Sequence, residues 1–361
     1  MSRTMNESIE KLIKKVLDQV DEPSIKSKKY TIGGDGNAVS WLKDLKILQK
    51  LRLFPSFHSA LGLYQNKQYL ILVNHQFENT AKIPVGLQEE ELNAGAWIAI
   101  IDELDLPIID HNASCLEELL GSDLQVNESG YQQISYDFRL DNSGFSLQDV
   151  FPSIDIYKID GSNQQSKFFN TSSLSRLTGL LLVESKKYYL LPYSQDVLAR
   201  FKDLFENDQL KLLFENVLVS YAASDYKFCY LDLYRCIERV QPLLFFQDFY
   251  TELKSSSSGF NKTLEEFCID FYDKTKLQPK LDSSLERLVQ PIMNNFTPKY
   301  RKITSADLYN LRNQIVHLRP GQTNRQANSL IPDNDDDWNK LIEDMLQIIK
   351  EIYIQHDKLI D

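Results

Sequence analysis

The densest group of chemically active side chains lies in the stretch LRNQIVHLRPG, residues 311–321. Arg312, Asn313 and His317 fall within six residues there, in a chain that has only five histidines. A histidine can move protons near neutral pH, because its ordinary pKa is about 6.5. An arginine keeps a permanent positive charge on a planar fork of N–H donors. Together these types are suited to proton transfer beside an anionic group.

The three residues share one side of a predicted helix. Counting about 100° of rotation per residue from Arg312, Asn313 lies at about 100° and His317 at about 140°. The apolar residues of the same stretch fall together between about 240° and 320°; they are Leu308, Leu311, Ile315 and Leu318. The polar trio therefore borders the packed face. Such a trio is typical of a hydrogen-bonded surface as well as of a catalytic site.

The flanking residues fix the ends of this helix. Thr304 or Ser305 can cap its start, and Pro320 and Gly321 stop it. His317 therefore belongs to the last turn, where the helix dipole favours a positively charged imidazole.

Other chemically active residues form no site of a known type. The glycine-rich turn TIGGDGNAV, residues 31–39, lacks the spacing of a dinucleotide or phosphate loop. The acidic run at 333–337 lacks the glycine and distal glutamate of a calcium loop, and indicates the solvated start of a helix. His58, His75 and His111 lie in separate segments, and no G-x-S-x-G nucleophile elbow is present. No metal site and no cofactor is predicted.

Composition indicates a globular protein of the cytoplasm. Of 361 residues, 42% are hydrophobic, which is enough to bury sizeable cores. The four cysteines form no C-x-x-C pair, which favours buried free thiols in a reducing compartment. The longest apolar runs have only strand length, and the first 20 residues indicate an amphipathic helix, so neither a membrane span nor a secretory signal is predicted. The net charge of −11 excludes a protein that coats nucleic acid with its whole surface.

The first part of the chain mixes short β-like runs with helical segments at 5–20, 40–54 and 194–207. The runs are ALGLYQNKQYLILVNHQ, GAWIAIIDEL, QQISYDFRL, SIDIYKID and GLLLVESKKYYLLPY, with hairpin turns at 65–67 and 184–186. This mixture predicts an α+β domain with β-hairpins over residues 1–208.

The pattern changes near residue 208. From there on, apolar residues recur every three or four positions in each long segment, which predicts an all-helical bundle over residues 209–361. Pro242 is expected to kink or split the longest of these helices. The predicted fold class of the whole chain is therefore α+β.

In this helical setting the polar trio resembles the motif of the HEPN superfamily. Members of that family are helical bundles that carry an arginine, four to six residues and then a histidine, with a polar residue often after the arginine. Here the motif reads R-N-Q-I-V-H, late in the helical segment. YLDLYRCIERVQPLLF, residues 230–245, resembles the long helix that precedes the motif in bacterial members. In some of them an acidic residue of that helix approaches the motif, which points to Glu238.

The resemblance implies a metal-independent endoribonuclease. In such enzymes the ribose 2′-OH attacks the adjacent phosphorus and leaves a 2′,3′-cyclic phosphate and a 5′-OH. His317 would move the proton, Arg312 would stabilise the charge that grows on the phosphorane, and Asn313 would orient the histidine or hold a phosphate oxygen.

The resemblance also implies partners and a biological role. Two motifs face each other across a two-fold interface in the family, so one motif per chain implies a homodimer with a composite cleft. Six residues would then guide or stack RNA: Lys299, Tyr300, Arg301, Lys302, Arg319 and Arg325. HEPN ribonucleases commonly serve as toxins or anti-phage (abortive-infection) effectors. The resemblance does not extend to residues 1–208, which would be a sensor or the dock of an inhibitor or activator protein.

Two alternatives remain open at this stage. The bundle can be a non-catalytic HEPN-like dimer that serves as a binding module, with Arg312 and His317 stabilising it. It can also be an unrelated helical domain in a monomeric adaptor, with no symmetric cleft around residue 312.

Overall fold

The computed structural model describes most of the chain: residues 5–32, 36–53, 57–73, 86–109, 116, 120, 126, 128–134, 147–159, 171–185, 189–207, 209–256, 261–275, 282–301, 303–316 and 330–360. It divides into two compact units, Met1–Leu174 and Ser175–Asp361. The N-terminal unit contains a five-stranded antiparallel sheet, and the C-terminal unit contains helices. The predicted α+β class is confirmed.

The N-terminal unit alternates helices with strands. Its elements are α1 (Met5–Leu17), α2 (Pro23–Lys26), β1 (Tyr30–Ile32), α3 (Gly36–Asp44), β2 (Lys46–Arg52), β3 (His58–Tyr64), β4 (Lys67–Val73), β5 (Leu87–Glu90), α4 (Ala94–Leu104), β6 (Gln132–Ile134), α5 (Leu147–Val150) and β7 (Ile154–Ile159).

The main sheet has the strand order β2-β3-β4-β7-β5, with each neighbouring pair antiparallel. The predicted hairpin at 65–67 is confirmed between β3 and β4. Its two turn residues, Gln65 and Asn66, have φ of 48° and 60°, the left-handed values that a two-residue hairpin turn requires. β1 and β6 form a second, parallel pair in which Tyr30 lies opposite Gln132.

Two predicted elements of this unit are wrong. GAWIAIIDEL forms most of helix α4 instead of a strand. Nine of the eleven residues of α4 are buried, and a run buried on all sides has no period that separates strand from helix. Asn93 caps this helix by accepting a hydrogen bond from the Ala96 N–H at 3.0 Å. The predicted helix at 40–54 ends at Asp44, and β2 follows with alternating exposure.

The C-terminal unit is formed by helices α6 (Thr171–Ser185), which begins just before the division, α7 (Gln195–Glu206), α8 (Phe214–Tyr221), α9 (Tyr226–Ser256), α10 (Leu264–Thr275), α11 (Asp282–Met293), α12 (Ser305–Val316) and α13 (Asp335–Gln355), followed by a 3₁₀ turn (Asp357–Leu359). Helix α9 lies at the centre and contacts α8, α10, α11, α12 and α13. It continues through Pro242 over 31 residues, so the proline does not split it.

The helical unit begins earlier than the pattern predicts, at 174/175 instead of 208/209. The reason is that α6 and α7 pack within it. Arg176 donates to the carbonyl of Phe205 at 3.1 Å, and the hydroxyl of Tyr221 on α8 donates to the carbonyl of Leu182 at 3.0 Å. The predicted hairpin at 184–186 is wrong, because the run before it completes α6.

The remaining predictions on the described residues concern α13, the thiols and the membrane. The acidic run does begin α13, and Asn334 caps it by accepting from the Asp337 N–H at 2.9 Å. Cys229, Cys236 and Cys268 are buried free thiols, as predicted, while Cys115 lies outside the described residues. Among the described helices, none has the length and apolar character that crossing a membrane requires.

Candidate functional site

Helix α12 carries the first five residues of the motif, 312–316, and is fixed at its start by a reciprocal cap. The Asp307 N–H donates to the Thr304 hydroxyl at 3.2 Å, and the Thr304 N–H donates to the Asp307 carboxylate at 2.9 Å. Three apolar residues of the predicted stripe are buried: Leu308, Leu311 and Ile315. This local structure leaves Arg312 and Asn313 half-buried at the border of the packed face.

Helix α9 positions α12 and supplies an acidic partner to the arginine. The buried hydroxyl of Tyr230 on α9 donates to the carbonyl of Leu308 at 2.8 Å, one turn before Arg312. Arg312 Nη2 lies 3.4 Å from Glu238 Oε1, and Arg312 Nη1 donates to Asn313 Oδ1 at 3.1 Å. The structure therefore brings Arg312, Asn313 and Glu238 together. The side chains of the ion pair remain 31% and 38% exposed, so solvent reaches both.

Four other predicted site residues lie outside the described residues: His317, Lys302, Arg319 and Arg325. The described part of α12 ends at Val316, and the described chain resumes at Leu330. Leu330 lies beside the last turn of α12, because its N–H donates to Gln314 Oε1 at 3.2 Å.

Lys299 lies in a carboxylate cluster of the helical unit. Its ammonium group is 2.7 Å from Glu343 and 3.2 Å from Asp196, and the hydrogen bond to Glu343 raises the pKa of Lys299. Asp344 accepts from the backbone N–H groups of Lys299 and Tyr300, each at 3.0 Å. The two carboxylates offset the positive charge of Lys299, so its attraction for an RNA phosphate is weaker.

Tyr300 and Arg301 contact each other beside this cluster. The Arg301 guanidinium lies 4.4 Å from the centre of the Tyr300 ring, a cation–π distance, and also donates to its hydroxyl. The Tyr300 hydroxyl donates to the carbonyl of Leu330 at 3.1 Å. A base could stack on this ring only by displacing or sharing the guanidinium.

An exposed stripe runs along α9 and includes Glu238. Partly or fully exposed side chains recur at alternating spacings of three and four, which is the spacing of a coiled-coil seam. These residues, here called the α9 stripe, are Phe228, Leu231, Arg235, Glu238, Pro242, Phe245 and Phe249. Phe228 is 60% exposed and Phe249 is 49% exposed. Sequence reasoning missed the stripe, because the apolar residues of α9 are spread around the helix and mark no single face.

Helix α12 adds a second row at the same spacing. Tyr309, Arg312 and Val316 are exposed or half-buried, and the ion pair between Arg312 and Glu238 joins this row to the α9 stripe. Pro242 lies one turn after Glu238 and has no N–H, so it cannot donate to the Glu238 carbonyl as an ordinary helical residue would. The α9 stripe and the row on α12 together are here called the joined surface. It has charged groups at its centre and apolar side chains on both sides.

The described residues hold no other evident chemistry in this unit. No group of three or more His, Cys, Asp or Glu side chains among them could hold a metal ion. Burial raises the pKa of Cys229 and Cys236 to about 12 and that of Cys268 to about 11, so these thiols stay protonated at neutral pH. Comparison of the chain with models of protein families, with curated proteins and with solved structures gives no match.

Proposed function

We propose that this protein is a metal-independent endoribonuclease of the HEPN type that acts in the cytoplasm as a toxin or anti-phage effector. The observation that supports this most is the 3.4 Å ion pair between Arg312 of the R-N-Q-I-V-H motif and Glu238 of the long preceding helix. That pair is the contact which the resemblance to the family implies. The N-terminal unit would receive the trigger, an inhibitor or an activator protein.

The proposed reaction assigns a task to each group. The ribose 2′-oxygen forms a bond to phosphorus while the bond from phosphorus to the 5′-oxygen breaks. His317 takes the proton from the 2′-OH, and the leaving 5′-oxygen takes up a proton from water and becomes a hydroxyl. Arg312 donates to the phosphorane oxygens as their negative charge grows. Glu238 and Asn313 hold the guanidinium from two sides through Nη2 and Nη1, which leaves its other N–H groups for the phosphate.

The joined surface of α9 and α12 supports the proposed homodimer. Scattered exposed apolar residues are ordinary, but a row at coiled-coil spacing along a 31-residue helix is suited to pairing with another helix. A second copy related by a two-fold axis would cover the aromatic side chains and bring two copies of Arg312 and His317 to one cleft.

The test is alanine substitution of Arg312 and His317, singly, in the full chain. We expect each variant to lose at least a hundredfold in RNA cleavage, to stop arresting growth and to keep its melting temperature within a few degrees. Cleavage products of the unchanged protein should carry a 2′,3′-cyclic phosphate and a 5′-OH. Arg287→Ala is the matched control, because Arg287 is an exposed arginine of the same unit on α11, outside the motif sequence. Unchanged cleavage in both single variants would reject the assignment.

A second function, a non-catalytic dimeric binding module, is favoured by one observation. Glu238 already neutralises Arg312, as a purely structural ion pair would. This alternative predicts that His317→Gln retains full function, because glutamine keeps hydrogen bonding but cannot move protons. The monomeric adaptor predicts a single-chain mass by light scattering at every concentration.

A further inference from the structure

A basic pocket opens in the N-terminal unit, which does not contain the motif. Its volume is about 470 Å³, which is within the range of small-molecule sites and too small for folded RNA. Helix α1 supplies Lys14 and an apolar wall of Ile13 and Leu17, and Tyr131 precedes β6. Three further lysines come from the segment of α2 and β1: Lys26, Lys28 and Lys29. We call this the lysine pocket.

Strand pairing brings two of these residues together from distant parts of the sequence. β1 and β6 are parallel with Tyr30 opposite Gln132, and the Gln132 N–H donates to the Lys29 carbonyl at 2.7 Å. Lys29 and Tyr131 therefore lie side by side where the two strands begin. The Lys29 ammonium is 5.6 Å from the centre of the Tyr131 ring. The pocket thus has one aromatic wall beside a cation.

The charges of the lysine pocket are not balanced by the described protein. Within the described ranges, none of its four ammonium groups lies in an ion pair with a carboxylate, whereas the neighbouring Lys15 on α1 is paired with Asp105 at 2.6 Å. Two carboxylates line the pocket, Glu10 and Asp18, which leaves a net charge of about +2 there. An excess of positive charge of this kind attracts anions to the pocket.

We infer that the lysine pocket binds a nucleoside di- or triphosphate. Lysine is a common phosphate ligand, acting as a point charge, and four lysines against two carboxylates match a ligand with more than one phosphate group. The half-buried Tyr131 ring and the apolar side chains of Ile13 and Leu17 suit a nucleobase, whose faces stack on aromatic rings. This inference does not depend on the proposed nuclease activity.

The test is calorimetric titration of the full-length protein with ATP, ADP, inorganic pyrophosphate and adenosine at fixed salt. ATP and ADP should bind in the micromolar range, pyrophosphate at least fivefold more weakly than ADP, and adenosine not at all. Affinity for ADP should fall as salt is raised, since the contacts are charged. Absence of binding by ATP and ADP at millimolar concentration would overturn the inference, as would equal binding of adenosine.

Variants test the phosphate-binding lysines and the Tyr131 ring of the pocket separately. Lys26→Gln with Lys28→Gln should weaken ADP binding at least tenfold, while the charge-matched control Lys43→Gln with Lys67→Gln should not. Tyr131→Leu should weaken ADP binding several-fold and leave pyrophosphate binding unchanged. Equal loss in the control pair would reject the site. Equal affinity for ADP and pyrophosphate in both the unchanged protein and Tyr131→Leu would reject a nucleotide in favour of inorganic polyphosphate.

Discussion

At the scale of residues, the proposed site depends on how Arg312 is held. Its guanidinium contacts a carboxylate from another helix and the amide of its own neighbour. Both side chains of the ion pair are about one-third exposed, so water screens their attraction. A pair of this kind contributes at most about 1 kcal/mol to stability, and its value lies in fixing the direction of the guanidinium.

This predicts that Glu238→Gln lowers RNA cleavage while leaving the stability of the protein almost unchanged. The substitution keeps the shape of the side chain and removes its charge, so we expect the free energy of unfolding to change by less than about 1 kcal/mol. RNA cleavage should fall about tenfold through kcat, because Arg312 is oriented less well. Urea unfolding and single-turnover cleavage measure the two effects. Glu286→Gln, which changes an exposed carboxylate of α11, should alter neither; a Glu238→Gln enzyme with full kcat would show that the pair is only structural.

Sequence reasoning placed Arg312 and Asn313 at the border of the packed face because helical geometry is local. It could not anticipate the neutralisation of Lys299, because its partners Glu343 and Asp196 are far away in the sequence and are set by helix packing. The contact of Arg312 with Glu238 came from a family resemblance and not from the spacing of residues. Long-range side-chain partners are the part of a site that a single sequence does not specify.

At the scale of elements, α6 and α7 approach each other closely at Gly179. A Cβ atom at this position would lie 2.3 Å from two carbon atoms of the Phe205 ring, which is fully buried. Glycine here is therefore required by packing, even though it lies in a helix where alanine is normally preferred.

We expect Gly179→Ala to destabilise the protein by about 1–3 kcal/mol, because the added methyl group overpacks the contact. An ordinary glycine-to-alanine change within a helix would instead stabilise by about 0.5–1 kcal/mol. Denaturant unfolding measures the difference. Phe205→Leu removes the opposing ring, so the double variant should lose less than the sum of the two single losses. A stabilised Gly179→Ala protein would contradict the close approach.

The elements that the sequence predicts correctly have a clear period or a strong turn. The hairpin of β3 and β4 has both, and the helices after residue 209 show the spacing of a half-buried face. Two of the failures, α4 and α6, are apolar runs in which the period is hidden by burial on most sides. The predicted domain boundary differs from the observed one for the same reason, because α6 is predicted as part of a sheet and packs in the C-terminal unit.

At the scale of the whole molecule, the joined surface of α9 and α12 predicts association. We expect the unchanged protein to be a dimer at micromolar concentration by light scattering. Phe228→Asp should raise the dimer dissociation constant at least tenfold, because it places a charge in the α9 stripe. Leu190→Asp changes another exposed apolar residue of the same unit, 64% exposed and off the stripe, and should leave the dimer intact. A monomeric unchanged protein would remove the basis of the composite cleft.

Stability of the whole protein should also depend on pH through His356, at the end of α13. Burial lowers the pKa of its half-buried imidazole below the ordinary value of about 6.5. His356 is therefore protonated more readily in the unfolded chain than in the folded protein. As a result, the free energy of unfolding should fall as the pH drops from about 7 to 5. His356→Gln should reduce this pH dependence. Thermal melting of the unchanged protein and of the variant, each measured from about pH 7 to pH 5, gives the comparison. An identical pH dependence in both proteins would contradict it.

The parallel pairing of β1 with β6 has a consequence for the order in which the N-terminal unit forms. It joins residues about 100 positions apart, so a long loop must close before any contact is gained. Contacts of such long sequence separation slow folding, whereas the β3–β4 hairpin joins neighbours and can form early. We therefore expect the wall that Lys29 and Tyr131 share to appear late during folding. A ligand bound there would slow the unfolding of the N-terminal unit and leave its folding rate unchanged.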